Sequence, residues 1–344
     1  MLYGTLAAST ALLLSALLAA LLRVPGLRAG LVERRQAGAA RRRPVPLLGG
    51  VAVLAATCLV AGVGEWTRAA PLGGGVDELL IAGAGVAVLG LVADVWRLRA
   101  RVLTAGTAVA AACVVPYGGT GVPAGILAVG WIVFVALAFR ALDHADGLVG
   151  TVGVITAFGV GACAAAEVMD GLAVLLSVLA AALAGFLMHN WHPARIGLGS
   201  CGSLFTGFLL ASAAVFTQAG RGLGEGVGVL FSLTVLGTAD LALVVLSRRT
   251  ARRSLLRSGP DHLGHRLRRL GLTPRGTVVL LGVGASVGVL VGVLAHTGRA
   301  GDGAVLWVAG GALVAVLLLL RIPVYSPRRM VSSQVTGQLR VRSG

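Results

Sequence analysis

Two aspartates, Asp143 and Asp146, are the residues of this chain best placed to do chemistry. They belong to the segment Arg140-Ala-Leu-Asp-His-Ala-Asp-Gly-Leu148, and the run before it, Ile126–Phe139, is almost entirely apolar. A carboxylate at the edge of a bilayer is costly to keep there and usually has a function. Two carboxylates three residues apart can share one face of a helix or of a helix-end turn. The spacing therefore predicts a charged site at a membrane surface, where a cation or a phosphate could be bound.

Two further aspartates, Asp94 and Asp240, stand near the ends of other apolar runs. Each has a simpler explanation, because Asp94 could pair with Arg97 or Arg101, and Asp240 could pair with Arg248 or with a residue on another helix. The four acids nevertheless come from three separate apolar runs and are predicted to lie on one membrane face. That convergence favours a functional cluster.

Two polar loops carry groups suited to phosphate. The segment from Asn190 to Leu204 contains glycines that allow close backbone approach, and serines and N–H groups that could bind phosphate at the start of the next helix. Glycine and serine also make ordinary turns. His262 and His265 lie in an arginine-rich loop at a spacing that lines one helical face. They could donate to phosphate or be solvated, and a metal would need a third ligand.

The elements that must position these residues are membrane helices. The chain is 57% hydrophobic and 12% charged, and its mean hydropathy is +0.92. We predict an all-α, polytopic integral membrane helical bundle of about eleven transmembrane helices over residues 1–322, followed by a basic tail at 323–344. We expect the first apolar span to be retained, because it lacks a convincing cleavage site. The predicted apolar spans are Leu2–Leu22, Leu47–Gly64, Leu79–Val95, Val102–Val115, Ile126–Phe139, Thr151–Val168, Leu172–Met188, Ser203–Thr217, Val227–Leu246, Thr277–Ala295 and Ala304–Leu320. The fourth and fifth are short enough to be tilted, extended or partly interfacial.

The charge distribution orients these spans. All 29 basic residues are arginine, and all but Arg68, Arg221 and Arg299 fall on one predicted side of the membrane. This asymmetry is the positive-inside bias of membrane proteins. It predicts a multi-pass plasma-membrane protein with its N-terminus outside and its site loops and tail in the cytoplasm. It also explains the net charge of +16 without a nucleic-acid partner.

Five segments between Arg43 and Leu272 resemble, in order, the motifs of the polyprenyl-phosphate sugar-1-phosphate transferases, the family of MraY, WecA and TagO. Arg43-Pro-Val-Pro-Leu-Leu-Gly-Gly50 resembles basic-x-P-x-P-R-L-G-G, and Gly90-Leu-Val-Ala-Asp-Val-Trp-Arg-Leu-Arg-Ala-Arg101 resembles G-L-x-D-D-x-x-x-L-x-x-K. The stretch from Trp131 to Leu148 is similar to a span ending N-x-x-N-x-x-D-G-x-D-G-L, and the stretch from Asn190 to Gly207 is similar to N-x-x-P-A-x-I-F-M-G-D-x-G-S-L-x-x-G. His262-Leu-Gly-His-Arg-Leu267, followed by Leu270-Gly-Leu272, is similar to H-L-H-H-R-L…L-G-L.

The resemblance implies transfer of a sugar-1-phosphate from a UDP-sugar to a membrane polyprenyl phosphate, with release of UMP, in cell-envelope glycan synthesis. It implies Mg²⁺ as the cofactor, and the two substrates as partners; a homodimer is compatible with it. The catalytic residues it implies are Asp94, Asp143 and Asp146, with Asp240 at a related position. The predicted substrate-binding residues are Asn190, Arg195, His262, His265, Arg266, Arg101 and Arg140.

Six positions depart from the family pattern. Ala93 replaces the first aspartate of D-D, Leu137 and Arg140 replace the two asparagines, His144 replaces a glycine, Ser200 replaces the aspartate that is the principal Mg²⁺ ligand, and Gly264 interrupts the histidine run. A serine hydroxyl offers no anionic oxygen to a hard cation. The metal ligands are therefore unknown, and Mg²⁺-dependent activity is in doubt. An active transferase, a non-catalytic protein that binds polyprenyl phosphate or acts as a scaffold, and a lipid or solute transporter all stay open.

Overall fold

Helices make up nearly all of the ordered structure in the computed structural model, which describes residues 2–32, 44–96, 98–254 and 259–324. Arg43, Arg97 and most of the predicted tail, from residue 325 onward, lie outside these ranges. The helices are α1 Leu2–Arg28, α2 Gly49–Trp66, α3 Val76–Trp96, α4 Ala100–Val114, α5 Tyr117–Thr120, α6 Val122–Leu142, α7 Leu148–Ala166, α8 Asp170–Asn190, α9 Gly199–Thr217, α10 Leu223–Leu233, α11 Val235–Thr250, α12 Leu263–Arg269, α13 Pro274–His296 and α14 Asp302–Leu320.

The predicted fold class is confirmed. Within the described ranges, nine helices are long and apolar enough to cross a membrane, and α10 with α11 forms a bent pair that could make a tenth span. The remaining predicted span corresponds to α4, which has only 15 residues. At about 1.5 Å per residue it is shorter than the roughly 30 Å hydrocarbon core of a bilayer. The other short prediction, Ile126–Phe139, extends in the structure to the 21-residue helix α6.

The prediction of one continuous span over Val227–Leu246 is wrong, because the chain bends by 81° between α10 and α11. Thr234 lies at the break, and its hydroxyl donates to the carbonyl of Leu230 at 2.8 Å. Threonine hydroxyls that bond to the preceding turn favour helix bending. Helix α13 also passes close to the break, since a Cβ on Gly288 would lie 2.9 Å from the Ser232 carbonyl oxygen.

Helix α9 is the centre of the bundle. In its most apolar stretch of 18 residues, 89% of the residues are buried, compared with 6% in the peripheral helix α14. It packs on α3 and α6 through close backbone contacts, as small residues allow in membrane proteins. A Cβ on Gly207 would lie 2.8 Å from the Ala136 Cα, and a Cβ on Gly90 would lie 2.4 Å from the Ser200 carbonyl oxygen. This packing holds the N-terminus of α9, which carries Ser200, between the C-terminal ends of α3 and α6.

Candidate functional site

The predicted site residues other than Arg101 lie near one another at one end of the bundle. They come from the C-terminal ends of α3, α6 and α8, the N-terminal end of α9, helix α11, and the short helix α12. Hydrogen bonds and ring contacts connect these elements into a polar region, described below group by group. The structure therefore brings together segments that are far apart in sequence.

The start of α2 fixes the loop that leads into α9. The N–H groups of Gly49 and Gly50 donate to the carbonyls of Gly197 and Leu198, each at 2.9 Å. A Cβ on Gly50 would lie 2.2 Å from the Gly202 nitrogen, so no larger residue fits there. The Gly49-Gly50 pair, a part of the first motif, thus acts as a backbone support for the α9 N-terminus.

Asp94, Ser200 and Arg140 form a connected group at the position where the family pattern has its principal metal ligand. Nε of Arg140 donates to the Ser200 hydroxyl at 3.1 Å. The Ser200 hydroxyl in turn donates to the Asp94 carboxylate, which also accepts from the Cys201 N–H at 3.2 Å. Arg140 further interacts electrostatically with Asp143. A fixed positive charge therefore lies between two of the predicted catalytic acids.

Asp146 is held by the loop after α8. Its Oδ2 lies 2.7 Å from Nδ1 of His192 and accepts from the Ala194 N–H at 3.2 Å. Both side chains keep partial exposure, 32% for Asp146 and 24% for His192. The carboxylate is therefore oriented by the protein while one side stays accessible.

Asn190 connects the acidic loop after α6 with the loop that follows α8. Its Oδ1 accepts from the Gly147 N–H at 2.8 Å, and its Nδ2 donates to the Ile196 carbonyl at 2.8 Å. Gly147 has φ of +78°, a conformation that favours glycine. These contacts give Asn190 a positioning role, and its predicted contact with substrate stays a prediction.

Asp240 is fully buried and positions the start of α12. One oxygen lies 2.8 Å from Nδ1 of His262, and the other accepts from the Leu263 N–H at 2.7 Å. Arg248, suggested above as a partner for Asp240, forms an ion pair with Asp261. The Asp240 carboxylate at Nδ1 fixes the orientation of the His262 ring, so that Nε2 faces away from this carboxylate.

Three imidazoles cluster beside this carboxylate. The ring of His144 stacks on that of His262 with centroids 4.3 Å apart and planes at 19°, and lies 4.9 Å from the ring of His265. Burial, followed by the neighbouring His262, lowers the pKa of His144 to about 3. Burial, again followed by His262, lowers the pKa of His265 to about 4. At neutral pH these two rings therefore act as neutral hydrogen-bonding groups.

Acidification is expected to destabilise the protein through these rings. An imidazole in an unfolded chain titrates near 6.5, so between that pH and about 4 the unfolded state binds more protons than the folded state. The free energy of unfolding should therefore fall as the pH is lowered through this window. Thermal unfolding in detergent at several pH values measures it, and His144→Asn should flatten the dependence. Equal slopes for wild type and His144→Asn would contradict the prediction.

The predicted arginines differ in their surroundings. Arg266 is 1% exposed. It donates through Nη1 to the carbonyls of Leu319 and Ile322, each at 2.8 Å, and through Nη2 to the Ser247 hydroxyl at 2.6 Å. It therefore joins α12 to the ends of α11 and α14, and its predicted substrate contact stays a prediction. Arg101, in the first turn of α4, and Arg195, in the loop between α8 and α9, are exposed, and their predicted contacts with substrate stay predictions.

Mg²⁺ does not fit the residues at the Ser200 position. The group there is a neutral hydroxyl that already accepts from a guanidinium, whereas Mg²⁺ prefers carboxylate and phosphate oxygens. A permanent positive charge in hydrogen-bond contact would also repel a divalent cation. At the position where the family pattern has its metal ligand, the positive charge is therefore that of the Arg140 guanidinium.

A second ligand set exists among the described residues, where ligand atoms of His144, Asp240 and His262 lie within 4.8 Å of one another. The two rings are stacked at 19°. Lone pairs of imidazole nitrogens lie in the ring plane, so those of nearly parallel, face-stacked rings do not converge on one ion. Both Asp240 oxygens already take part in hydrogen bonds. This arrangement suits a hydrogen-bonded cluster better than a metal centre.

A small polar cavity of about 50 Å³ lies between these groups, lined by Val45, Leu47, Asp143, His144, Ala145, Asp146, Asn190, Ala194 and Gly197. Its volume admits a few water-sized groups rather than a whole sugar ring.

Sequence reasoning missed two contributors. His192, the partner of Asp146, stands two residues after Asn190 in a segment already singled out, so its position was the available signal. His144 was seen only as a departure from a pattern, and its contact with His262 joins segments too distant in sequence to be paired by spacing.

One family model and several known proteins are similar in sequence to this chain. A family model described as Glycosyl transferase family 4 matches residues 78–218. The chain is 64% identical over 333 residues to a Streptomyces coelicolor protein named "Putative glycosyltransferase SCO3672", covering 96% of this chain and 80% of that protein. It is 31% identical over 278 residues to the decaprenyl-phosphate N-acetylglucosaminephosphotransferase of Mycobacterium leprae, covering 69% and 70% of the two chains. The enzyme of that name from Mycolicibacterium smegmatis is 28% identical over 342 residues, covering 88% and 84%.

Proposed function

Since the chain belongs to glycosyl transferase family 4, the family of polyprenyl-phosphate sugar-1-phosphate transferases, we propose that its polar site binds a polyprenyl phosphate and a UDP-sugar. The arginine asymmetry supports placing this site at the cytoplasmic face of the plasma membrane. A lipid phosphate reaches that surface from within the bilayer, and a nucleotide sugar reaches it from solution. The chain would serve cell-envelope glycan synthesis.

The family reaction sets what the site would have to do. An oxygen of the lipid phosphate attacks the sugar-bearing phosphorus of the UDP-sugar, the bond between that phosphorus and the bridging oxygen of the diphosphate breaks, and UMP leaves carrying the bridging oxygen. Bound Mg²⁺ would stabilise the negative charge that develops on the leaving phosphate. The residues here do not fit that ion, so we derive no step through it.

The contact between Arg140 and Ser200 carries the proposal. A guanidinium is permanently charged and matches phosphate geometry with paired N–H donors, so Arg140 can hold a phosphate at the site without a metal. A single charge held by one hydrogen bond to Ser200 cannot bridge two phosphate groups as a divalent ion does. The function supported best is therefore binding of polyprenyl phosphate with little or no Mg²⁺-dependent turnover.

A second candidate is sugar-1-phosphate transfer without a metal, with release of UMP. The observation that favours it is the pair Asp143 and Asp146, which still lines the polar cavity. In this reading Arg140 replaces the cation, and the two carboxylates orient the accepting phosphate. The two candidates share the same ligands and differ only in turnover.

The experiment combines binding with transfer. Purified protein in lipid nanodiscs is titrated with a short-chain polyprenyl phosphate, and the same preparation is incubated with radiolabelled UDP-N-acetylglucosamine beside an active relative. We expect binding that Arg140→Gln weakens at least about tenfold, the size of one lost charge-assisted contact. Arg299→Gln, an exposed arginine remote from the site in sequence and predicted on the other face, is the matched control and should change nothing.

The outcomes separate the candidates. No radiolabelled lipid from the wild type, with product from the relative, supports a binding protein. Product that persists in EDTA supports metal-free transfer. Absence of lipid binding, or equal binding by wild type and Arg140→Gln, contradicts the role given to Arg140.

A further inference from the structure

His192, in the loop between α8 and α9, lies beside the polar cavity. Its Nδ1 is 2.7 Å from Oδ2 of Asp146, and the Ala194 N–H donates to the same oxygen at 3.2 Å. Asp146 and Ala194 both line the cavity. The imidazole is therefore held next to the cavity by a carboxylate, although the sequence did not place it among the substrate-binding residues.

The contact with Asp146 determines which ring nitrogen is left for a ligand. Oδ2 of Asp146 accepts from the Ala194 N–H, and an ionised carboxylate only accepts, so Nδ1 of His192 carries a hydrogen. In a neutral imidazole, Nε2 then carries a lone pair. Among the described residues, the buried nitrogens that lack a hydrogen-bond partner include Nε2 of His144 but not Nε2 of His192. Since 24% of the His192 side chain is exposed, its Nε2 is open to solvent.

Two exposed arginines lie close to this histidine in the chain or in space. Nε of Arg275, in the first turn of α13, donates to the His192 carbonyl at 3.1 Å. Arg195 follows three residues after His192, and both arginines are exposed. Neither forms a salt bridge with a carboxylate of the described residues. Positive charge without a paired carboxylate attracts anions to a surface, so this side of the cavity favours a phosphate group.

We propose that His192 binds the phosphate of the polyprenyl lipid, and that Nε2 shares one proton with that phosphate. The inference rests on the proposed function, because it takes the ligand to be a polyprenyl phosphate. A phosphate monoester has its second pKa near 6, so it exists with and without its last proton near neutral pH. With the proton on the phosphate, its O–H donates to Nε2. With the proton on the ring, Nε2–H donates to the phosphate oxygen, and Asp146 balances the charge of the imidazolium.

This chemistry distinguishes the two proposed substrates. The two phosphorus groups of a UDP-sugar each carry two substituents, so they have no proton to share near neutral pH and would present only acceptors to the Nε2 lone pair. A sugar hydroxyl could donate to Nε2, but it carries no negative charge for Arg195 and Arg275 to attract. The arrangement around His192 therefore favours the lipid phosphate.

The test compares a monoester with a diester. Dissociation constants are measured in nanodiscs at neutral pH for geranyl phosphate, for geranyl methyl phosphate, which lacks the shared proton, and for UDP-N-acetylglucosamine. His192→Asn keeps an amide N–H for Asp146 and removes Nε2. We expect it to weaken binding of geranyl phosphate at least about tenfold, the size of one lost charge-assisted hydrogen bond. The affinities for the other two ligands should change by less than about threefold. His189→Asn, the same change in the last turn of α8, is the matched control and should alter none of the three.

Three results would overturn the inference. An unchanged affinity of His192→Asn for geranyl phosphate would show that Nε2 does not meet the phosphate. Equal losses for the monoester and the diester would show that His192 only shapes its loop. A loss confined to UDP-N-acetylglucosamine would identify a sugar hydroxyl as the partner.

Failure of the proposed function gives a different result. If the folded wild type bound neither geranyl ester, the proposed function would fail and the role of His192 would fail with it. If Arg140→Gln weakened binding of geranyl phosphate and His192→Asn did not, the proposed function would stand and only the role of His192 would be refuted.

Discussion

Exchanging Arg140 for asparagine and Ser200 for aspartate together is expected to create Mg²⁺-dependent transfer at least about 100-fold above the wild type. The change removes the guanidinium that contacts Ser200 and supplies an anionic oxygen beside Asp94. Two carboxylates without a nearby fixed cation are a suitable partial ligand set for Mg²⁺. A bound metal stabilises transition-state charge by several kcal/mol, and about 2.7 kcal/mol corresponds to 100-fold. Radiolabelled lipid formed per minute, with and without Mg²⁺, measures the gain.

Two variants control this prediction. Ala93→Asp with Ser200→Asp, the restoration that the sequence alone suggests, should stay inactive, because Arg140 would pair with the new carboxylate at position 200. Arg140→Asn with Ser200→Asn has nearly the same size and lacks the anionic oxygen, so it should also stay inactive. Activity in the first control would show that Arg140 does not block the metal position. An inactive Arg140→Asn, Ser200→Asp protein that folds and binds lipid would refute the account of Ser200.

Replacing Gly50 with alanine is expected to cost at least about 3 kcal/mol of stability and to abolish ligand binding. The new methyl group would lie 2.2 Å from the Gly202 nitrogen and 2.6 Å from the Leu198 carbonyl oxygen. Backbone lies on both sides, so the clash can be relieved only by moving α2 away from α9, which exceeds ordinary overpacking of a core. That movement would break the hydrogen bond from Gly50 to Leu198 and release the α9 N-terminus. Unfolding temperature and the affinity for polyprenyl phosphate are the measurements.

Gly62→Ala is the matched control on the same helix. Nothing lies within 4 Å of a Cβ at Gly62, and alanine is the better helix former by up to about 1 kcal/mol. The control should be neutral or slightly stabilising and should bind as the wild type does. A stable, fully binding Gly50→Ala protein would contradict the support role of the Gly49-Gly50 pair.

The membrane fold was predictable because its main determinant is local. Every predicted apolar span corresponds to a helix or to the broken pair, since a run of apolar residues long enough for a bilayer leaves the backbone few alternatives. The break at Thr234 was not predicted, because apolar residues continue across it and the bend depends on hydroxyl bonding and on the approach of α13. Length and hydropathy carry no information about such contacts.

The site was predictable in outline. The motif order placed Asp94 in one segment and Asp143 with Asp146 in another, and the structure brings the two segments together through Arg140 and Ser200. Family membership also sets aside the transporter reading. The roles of individual side chains were less accessible, because they depend on partners distant in sequence. Asn190 bonds to Gly147, and Arg266 bonds to the end of α14, and neither contact follows from spacing.

The departures from the family pattern could be interpreted only once the structure showed which residues they contact. Ser200 and Arg140 are separate substitutions in the sequence, but in the structure they form one hydrogen-bonded pair. His144 likewise lies against Gly264. A substitution considered alone suggests loss, whereas the contacts show which residue each substituted side chain meets.

The central claim is that Arg140 takes the place of the metal ion in holding phosphate. The most direct measurement is the affinity of the wild-type protein for a short-chain polyprenyl phosphate in nanodiscs, titrated once in millimolar Mg²⁺ and once in EDTA. The claim predicts dissociation constants that agree within about twofold. Binding that appears only when Mg²⁺ is present would contradict it.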